Sequence, residues 1–172
     1  HHDIEVYKEN LLVTGSNGET REDFIYELDT QTGLIKNSLD LKTILPRSRQ
    51  GGFVPVENRD WLHNNAVVWD KTSDAILISS RNQSLVAKLS WPDGKIDWIL
   101  ANHNAWLPMF QKYLLTPIGE GFEWQYNQHA PEILPDQDNN PDTMDILLFD
   151  NGNQRYDFDA ELQRKIRSNE IV

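Results

Sequence analysis

The chain has 172 residues, about one ordinary domain's worth, and enough length to bury a core. It carries 27 acidic against 16 basic side chains, a formal net charge of −11, which argues against a non-specific nucleic-acid binder with its basic face. Mean hydropathy is −0.61, and no apolar run approaches the ~18 to 20 residues that span a bilayer. Six Trp, six Phe and five Tyr are too many aromatics for a disordered acidic tail. The absence of cysteine excludes a disulfide scaffold, a cysteine–zinc site and a thiol nucleophile, and leaves the redox compartment open. The first residues read as mid-domain sequence rather than as a signal segment.

In chain order, one grammar repeats: a histidine, a short apolar stretch, a turn, then a β-rich run. The first unit, about 1–50, opens with His2-Asp3-Ile4 and continues through Leu11-Leu12-Val13-Thr14-Gly15-Ser16-Asn17. A further strand over Phe24 to Asp29, a turn at Gln31-Thr32-Gly33 and a fourth strand over Leu34 to Leu39 complete it. After the connector Arg47 to Arg59, the second unit, about 60–100, runs from His63-Asn64-Asn65-Ala66-Val67-Val68-Trp69 to Ile76-Leu77-Ile78-Ser79-Ser80-Arg81-Asn82. Its third and fourth strands are expected over Leu85 to Leu89 and Lys95 to Leu100, around the turn Pro92-Asp93-Gly94. A second long connector, Ala101 to Glu123, leads to the third unit, about 124–158, with His129-Ala130-Pro131-Glu132-Ile133-Leu134 and Ile146-Leu147-Leu148-Phe149-Asp150-Asn151-Gly152-Asn153. The acidic run Asp136 to Asp145 lacks EF-hand spacing and reads as a solvated hairpin insertion. Only the tail, at Asp159 to Arg167, looks helical.

Four short strands per unit, at a period of roughly 60 to 70 residues, is the pattern of an all-β propeller built from four-stranded blades. Propellers close with about four to eight blades, and this chain supplies about three. The expectation is therefore a partial β-propeller, either a fragment of a longer protein or one half of a pair. The two long connectors are of a length that usually carries function.

His2, His63 and His129 precede the innermost strand of successive units, positions that converge on the central channel of a propeller. Converging imidazoles suit anion binding, proton transfer or metal ligation; the alternative is a histidine that hydrogen-bonds a neighbouring blade. His1-His2 also fits a purification-tag remnant, although Asp3-Ile4 continues the repeat. Asp60 is placed to accept from one ring nitrogen of His63 and fix its tautomer; the alternative is a capped turn. Trp124-Gln125-Tyr126-Asn127-Gln128-His129 sets aromatics beside a histidine, as a flat aryl ligand or a propeller core would require. Arg155 is positioned to grip a sulfate, phosphate or carboxylate, or else pairs with Asp157 or Asp159 on the surface. Arg81 is a second candidate, and His103 falls outside the repeat frame. Phosphate-loop and Rossmann glycine motifs are missing, as are HExxH and GxSxG, so the expectation is no cofactor and no zincin or α/β-hydrolase chemistry.

Asp60-Trp61-Leu62-His63-Asn64-Asn65, Ile78-Ser79-Ser80-Arg81-Asn82-Gln83-Ser84, Trp98-Ile99-Leu100, Leu114-Leu115-Thr116-Pro117, Gln128-His129 and Phe149-Asp150-Asn151-Gly152-Asn153 resemble, in order, the bacterial arylsulfate sulfotransferases. The resemblance runs from His2 to Arg155. It implies a six-bladed propeller that moves a sulfuryl group from a phenolic sulfate ester to a phenol without a nucleotide donor. The implied reaction is ping-pong through a transient sulfohistidine, with supporting histidines and an arginine holding the sulfuryl oxygens. His63 and His129 match the supporting histidines and Arg155 the arginine, while the nucleophilic histidine of the family lies in a later blade and is not in this chain. The same resemblance implies a periplasmic or otherwise extracytoplasmic setting, while the acidic charge balance and the lack of a spanning apolar run lead to the expectation of no nucleic-acid or membrane partner. A homodimer of two such chains would complete the ring. Two other readings stand beside it: a non-catalytic propeller module that binds an aromatic or anionic ligand in its channel, and a metal-dependent hydrolase or lyase using the histidines.

Overall fold

Two of the repeat units fold as four-stranded antiparallel meanders. In the first, β1 (Ile4–Tyr7), β2 (Asn10–Gly15), β3 (Phe24–Asp29) and β4 (Ile35–Asp40) lie side by side in chain order. In the second, β5 (Asn64–Asp70), β6 (Ala75–Ser80), β7 (Leu85–Ser90) and β8 (Ile96–Ala101) repeat that order. A two-stranded antiparallel sheet, β9 (His129–Ile133) with β10 (Ile146–Phe149), follows, and the acidic run is the loop of that hairpin. The computed structural model describes residues 3–47, 49, 60–140 and 142–153. His2, Arg155, the expected helix over 159–167 and most of the 47–59 connector lie outside these. Among the described residues the chain is all-β, apart from 3-10 turns at Leu41–Thr43 and Pro108–Tyr113. No helix among them is long and apolar enough to cross a membrane.

The turn chemistry explains why the two sheets match. Asp29 Oδ1 accepts from the N–H groups of Gln31 and Thr32, and the chain reverses through Gly33 at φ 71°. Ser90 Oγ does the corresponding work for the N–H of Lys95, and the reversal falls on Gly94 at φ 69°. Gly94 has a second constraint, because a Cβ there would lie 2.5 Å from Ile44 Cδ1 and 2.8 Å from Leu39 Cδ1. The tip of the second sheet is thus seated against the first, and only glycine fits both the backbone and the space.

The second sheet is the centre of the stack. Its β5 strand packs against β1 and β2 on one side and β9 on the other. β6 is therefore buried along its whole length, whereas β2 alternates between buried and partly exposed residues as a strand with one covered face should. The registered row Val67–Ile78–Ala87–Ile99 crosses all four strands at 0% exposure. On the outer face of the first sheet the row Val6–Leu11–Leu28–Ile35 is apolar too, yet Val6 is 62% and Ile35 57% exposed. The buried row belongs to one core that also takes in Leu12, Ile25, Leu41, Trp61, Leu62 and Leu89.

Candidate active site

His63 stands immediately before β5, in a backbone that is fixed from several directions. Its carbonyl accepts from the N–H of Arg81 at 3.0 Å, and the next N–H, that of Asn64, reaches the Glu22 carbonyl at 2.8 Å. The preceding residues, Trp61 and Leu62, are buried, and the Leu62 carbonyl accepts from both Asn82 N–H and Ser80 Oγ. His63 itself has φ 51°, a conformation that non-glycine residues adopt at a cost and that clusters at functional sites.

The ring meets two carboxylates. Nδ1 lies 2.9 Å from both Asp60 oxygens and 3.2 Å from Glu22 Oε2. Carboxylates only accept, so Nδ1 carries a proton and donates, and the lone pair of the neutral ring sits on Nε2. Burial works to raise the Asp60 carboxyl, but hydrogen bonds from His63 and Asn82, with the charges of His63 and Arg21, outweigh it and hold the group below the usual carboxylate range. Glu22 comes from the β2–β3 loop of the neighbouring sheet. Asp23 beside it is fully buried and accepts from Trp61 Nε1 at 3.1 Å, Lys42 Nζ at 3.2 Å and Thr20 Oγ1, which fixes that loop on the second sheet.

His129 is the first residue of β9. Its Nδ1 donates to Asn151 Oδ1 at 2.6 Å and to the Asn127 carbonyl at 3.0 Å, so this ring too keeps its lone pair on Nε2. Asn151 is delivered by a turn folded back on the chain ahead of the histidine: Asp150 Oδ1 accepts from Tyr126 N–H at 2.9 Å and from Gly152 N–H at 2.8 Å.

One hydrogen-bonded path joins the two histidines. Arg81 N–H donates to the His63 carbonyl, Asn127 Nδ2 donates to the Arg81 carbonyl at 2.9 Å, and the Asn127 carbonyl accepts from His129. Both rings therefore lie at the same end of adjacent sheets. They do not occupy the same frame position, however. Among the non-glycine residues with positive φ, His63 and Asn127 are each followed by a fully buried amide, Asn64 or Gln128, so His129 corresponds to Asn65. The expected equivalence of the two histidines is off by two residues in the strand frame, although their ends of the sheets coincide.

The remaining sequence candidates separate. The Arg81 side chain donates to Asn82 Oδ1 at 2.9 Å, beside Asp60, and its backbone forms the bridge just described. The His103 Nε2 lies 2.9 Å from the Leu115 carbonyl, and its ring is tilted against Trp124 at 5.1 Å, which makes it a brace of the 101–123 connector. Sequence reasoning missed Glu22, Asn151 and Arg49. Arg49 is only 3% exposed, donates to the carbonyls of Gln83 and Asn102, and lies 4.3 Å from the Trp106 ring. Burial pulls its pKa down to about 10, which leaves the guanidinium charged at neutral pH beneath the Arg81–Ser84 turn. Its only sequence signal was an arginine in a long connector.

Among the described residues, Glu22, Asp60 and His63 are the group whose donor atoms, all within 4.8 Å of one another, suit a metal ion. The carboxylates sit at hydrogen-bonding distance from Nδ1, however, and an ion held there by all three would require that nitrogen to lose its proton.

A family model described as arylsulfotransferase (ASST) matches residues 1–170 of the chain. Two curated proteins named arylsulfate sulfotransferase AssT, from Lelliottia amnigena and from Escherichia coli O6:H1, are each 30% identical to it over 114 residues. Each match covers 57% of this chain and 18% of the relative, so it spans less than a fifth of the length of those proteins.

Proposed function

Because the chain belongs to the arylsulfotransferase family, we propose that it is part of a propeller enzyme that transfers a sulfuryl group from a phenolic sulfate ester to a phenolic acceptor. The observation that carries this reading is the pair of imidazoles, His63 and His129, held by Nδ1 at the same end of successive sheets and joined through Arg81 and Asn127. A sulfuryl group in transit spreads negative charge over three equatorial oxygens, much as a phosphoryl group does. Fixed positive and hydrogen-bonding groups then supply most of the catalysis. In this reading His63 and His129, when protonated at Nε2, and Arg155 donate to those oxygens. The nucleophile that carries the group as a sulfohistidine is a histidine of a later blade, and the chain alone is inactive.

The propeller itself is supported by recurrence. The first sheet packs on the second, the second on the third, and the apolar row Val6–Leu11–Leu28–Ile35 is the surface on which a preceding blade would pack. Two copies of the chain joined through such faces are the alternative source of that cover, and a monomer by sedimentation would remove it. The family setting makes an extracytoplasmic location part of the proposal.

A second reading has its own observation in the cluster of Glu22, Asp60 and His63, which a metal-dependent hydrolase or lyase would use. One experiment separates these readings. Nitrophenol release from 4-nitrophenyl sulfate, with phenol as acceptor, is measured on this chain and on the full-length protein, with and without chelator. The transferase reading expects turnover by the full-length protein, formation of phenyl sulfate and indifference to chelator. Loss of activity with chelator supports the metal reading, and binding without turnover supports a non-catalytic module.

A further inference from the structure

The two histidines differ in what their Nδ1 protons meet. His129 is anchored on neutral oxygens, those of Asn151 and the Asn127 backbone. His63 is anchored on Asp60 and is also within 3.2 Å of Glu22, which arrives from a different sheet. A neutral acceptor orients an imidazole. A carboxylate orients it and also compensates the positive charge that appears when Nε2 takes up a proton. Among the described contacts, it is His63 whose Nδ1 meets carboxylates and so gains that second task.

We infer that His63 is the proton-transfer residue of the reaction, and that Asp60 and Glu22 are its positioning residues. This rests on the transferase reading and refines one role within it: the Nε2 proton of His63 goes to the bridging phenolic oxygen, while His129 and Arg155 hold the other sulfuryl oxygens. In the first half-reaction the aryl oxygen–sulfur bond breaks as the sulfuryl group passes to the nucleophile of the enzyme, and the protonated His63 gives its Nε2 proton to the departing phenolic oxygen. In the second, an acceptor phenol passes its O–H proton to Nε2 as its oxygen bonds to sulfur and the bond between sulfur and the nucleophile breaks. His63 returns to its starting form, and each proton is accounted for. His63 has 19% of its side chain exposed, so the ring is reachable while its Nδ1 side is enclosed. The left-handed backbone at His63 and the three-sided fixation of its loop hold Nε2 in one place, as proton transfer requires.

The test uses the full-length protein and two donors that differ in the acidity of the leaving phenol. A departing 4-nitrophenolate needs little protonation, whereas a departing phenolate needs much more. Asp60→Asn is expected to lower kcat/KM about 100-fold or more with phenyl sulfate and less than about tenfold with 4-nitrophenyl sulfate. Glu22→Gln should show the same selectivity, smaller in size. Equal losses with both donors, as a purely structural role would give, overturn the inference but leave the transferase reading intact. Absence of wild-type turnover with either donor overturns both. A second measurement does not depend on activity: nitrogen-15 chemical shifts of the histidine-labelled full-length protein. The inference expects the Nδ1–H tautomer for neutral His63, and an Nε2–H tautomer overturns it.

Discussion

The strand entrances that carry His63 and His129 perform the same orienting task with different materials. At His63 the support is the core itself: Trp61 and Leu62 are buried, Asp23 ties Trp61 to the neighbouring sheet, and carboxylates reach the ring. At His129 the support is a surface turn, Asp150-Asn151-Gly152, which folds back on Tyr126 and offers an amide oxygen. The difference shows that one repeat can place an imidazole in two ways. A rigid inter-sheet anchor suits a ring whose charge changes, and a local turn suffices for a ring that only has to point.

The largest effect should come from removing the support at the first entrance. Leu62 is fully buried, and Leu62→Ala is expected to cost about 2–5 kcal/mol of stability in urea unfolding of the full-length protein. Asp150→Ala at the second entrance removes two hydrogen bonds from a turn that is largely exposed and should cost about 1–2 kcal/mol. Equal losses at the two positions would erase the contrast between core and surface support.

Next in size are changes at the second ring. His129→Ala should lower kcat/KM for 4-nitrophenyl sulfate at least about tenfold, near 1.4 kcal/mol, and a wild-type rate would refute its place in the site. Asn151→Ala should cost less, about threefold, because the Asn127 carbonyl still accepts from Nδ1. A loss as large as that of His129→Ala would show that the ring depends on Asn151 alone.

Much of this architecture was legible in the residues. Gly33 and Gly94, each at a strand reversal with positive φ, marked the turns, and the β-rich runs between them marked the strands. The Asp60–His63 contact was readable because both residues lie on one short turn. Glu22 was not, because it reaches His63 from another sheet, and its own neighbourhood of Ser16 to Asp23 reads only as a polar turn. The two-residue offset between the histidines was hidden for a different reason. Residue identity drew the eye to His63 and His129, while the frame is set by backbone conformation at His63 and Asn127 and by the buried amides of Asn64 and Gln128. Arg49 was hidden by its connector, whose burial depends on packing between Gln83, Asn102 and Trp106.

The smallest effect sharpens the electrostatic half of the comparison. Asp60 has a carboxyl held below its ordinary value in the folded protein, so it binds its proton more readily when unfolded. Its contribution to stability is therefore fully present above the unfolded carboxylate pKa, about 3.9, and is lost as pH falls through the lower folded value. The stability difference between wild type and Asp60→Asn should accordingly persist into mildly acidic solution and shrink below about pH 4 in acid-unfolding curves. Asn151→Ala removes a neutral acceptor, so its stability difference from wild type should not shrink over that range. If the Asp60→Asn difference also stayed constant into strong acid, the carboxylate at the first entrance would be acting as the amide does at the second, by shape rather than by charge.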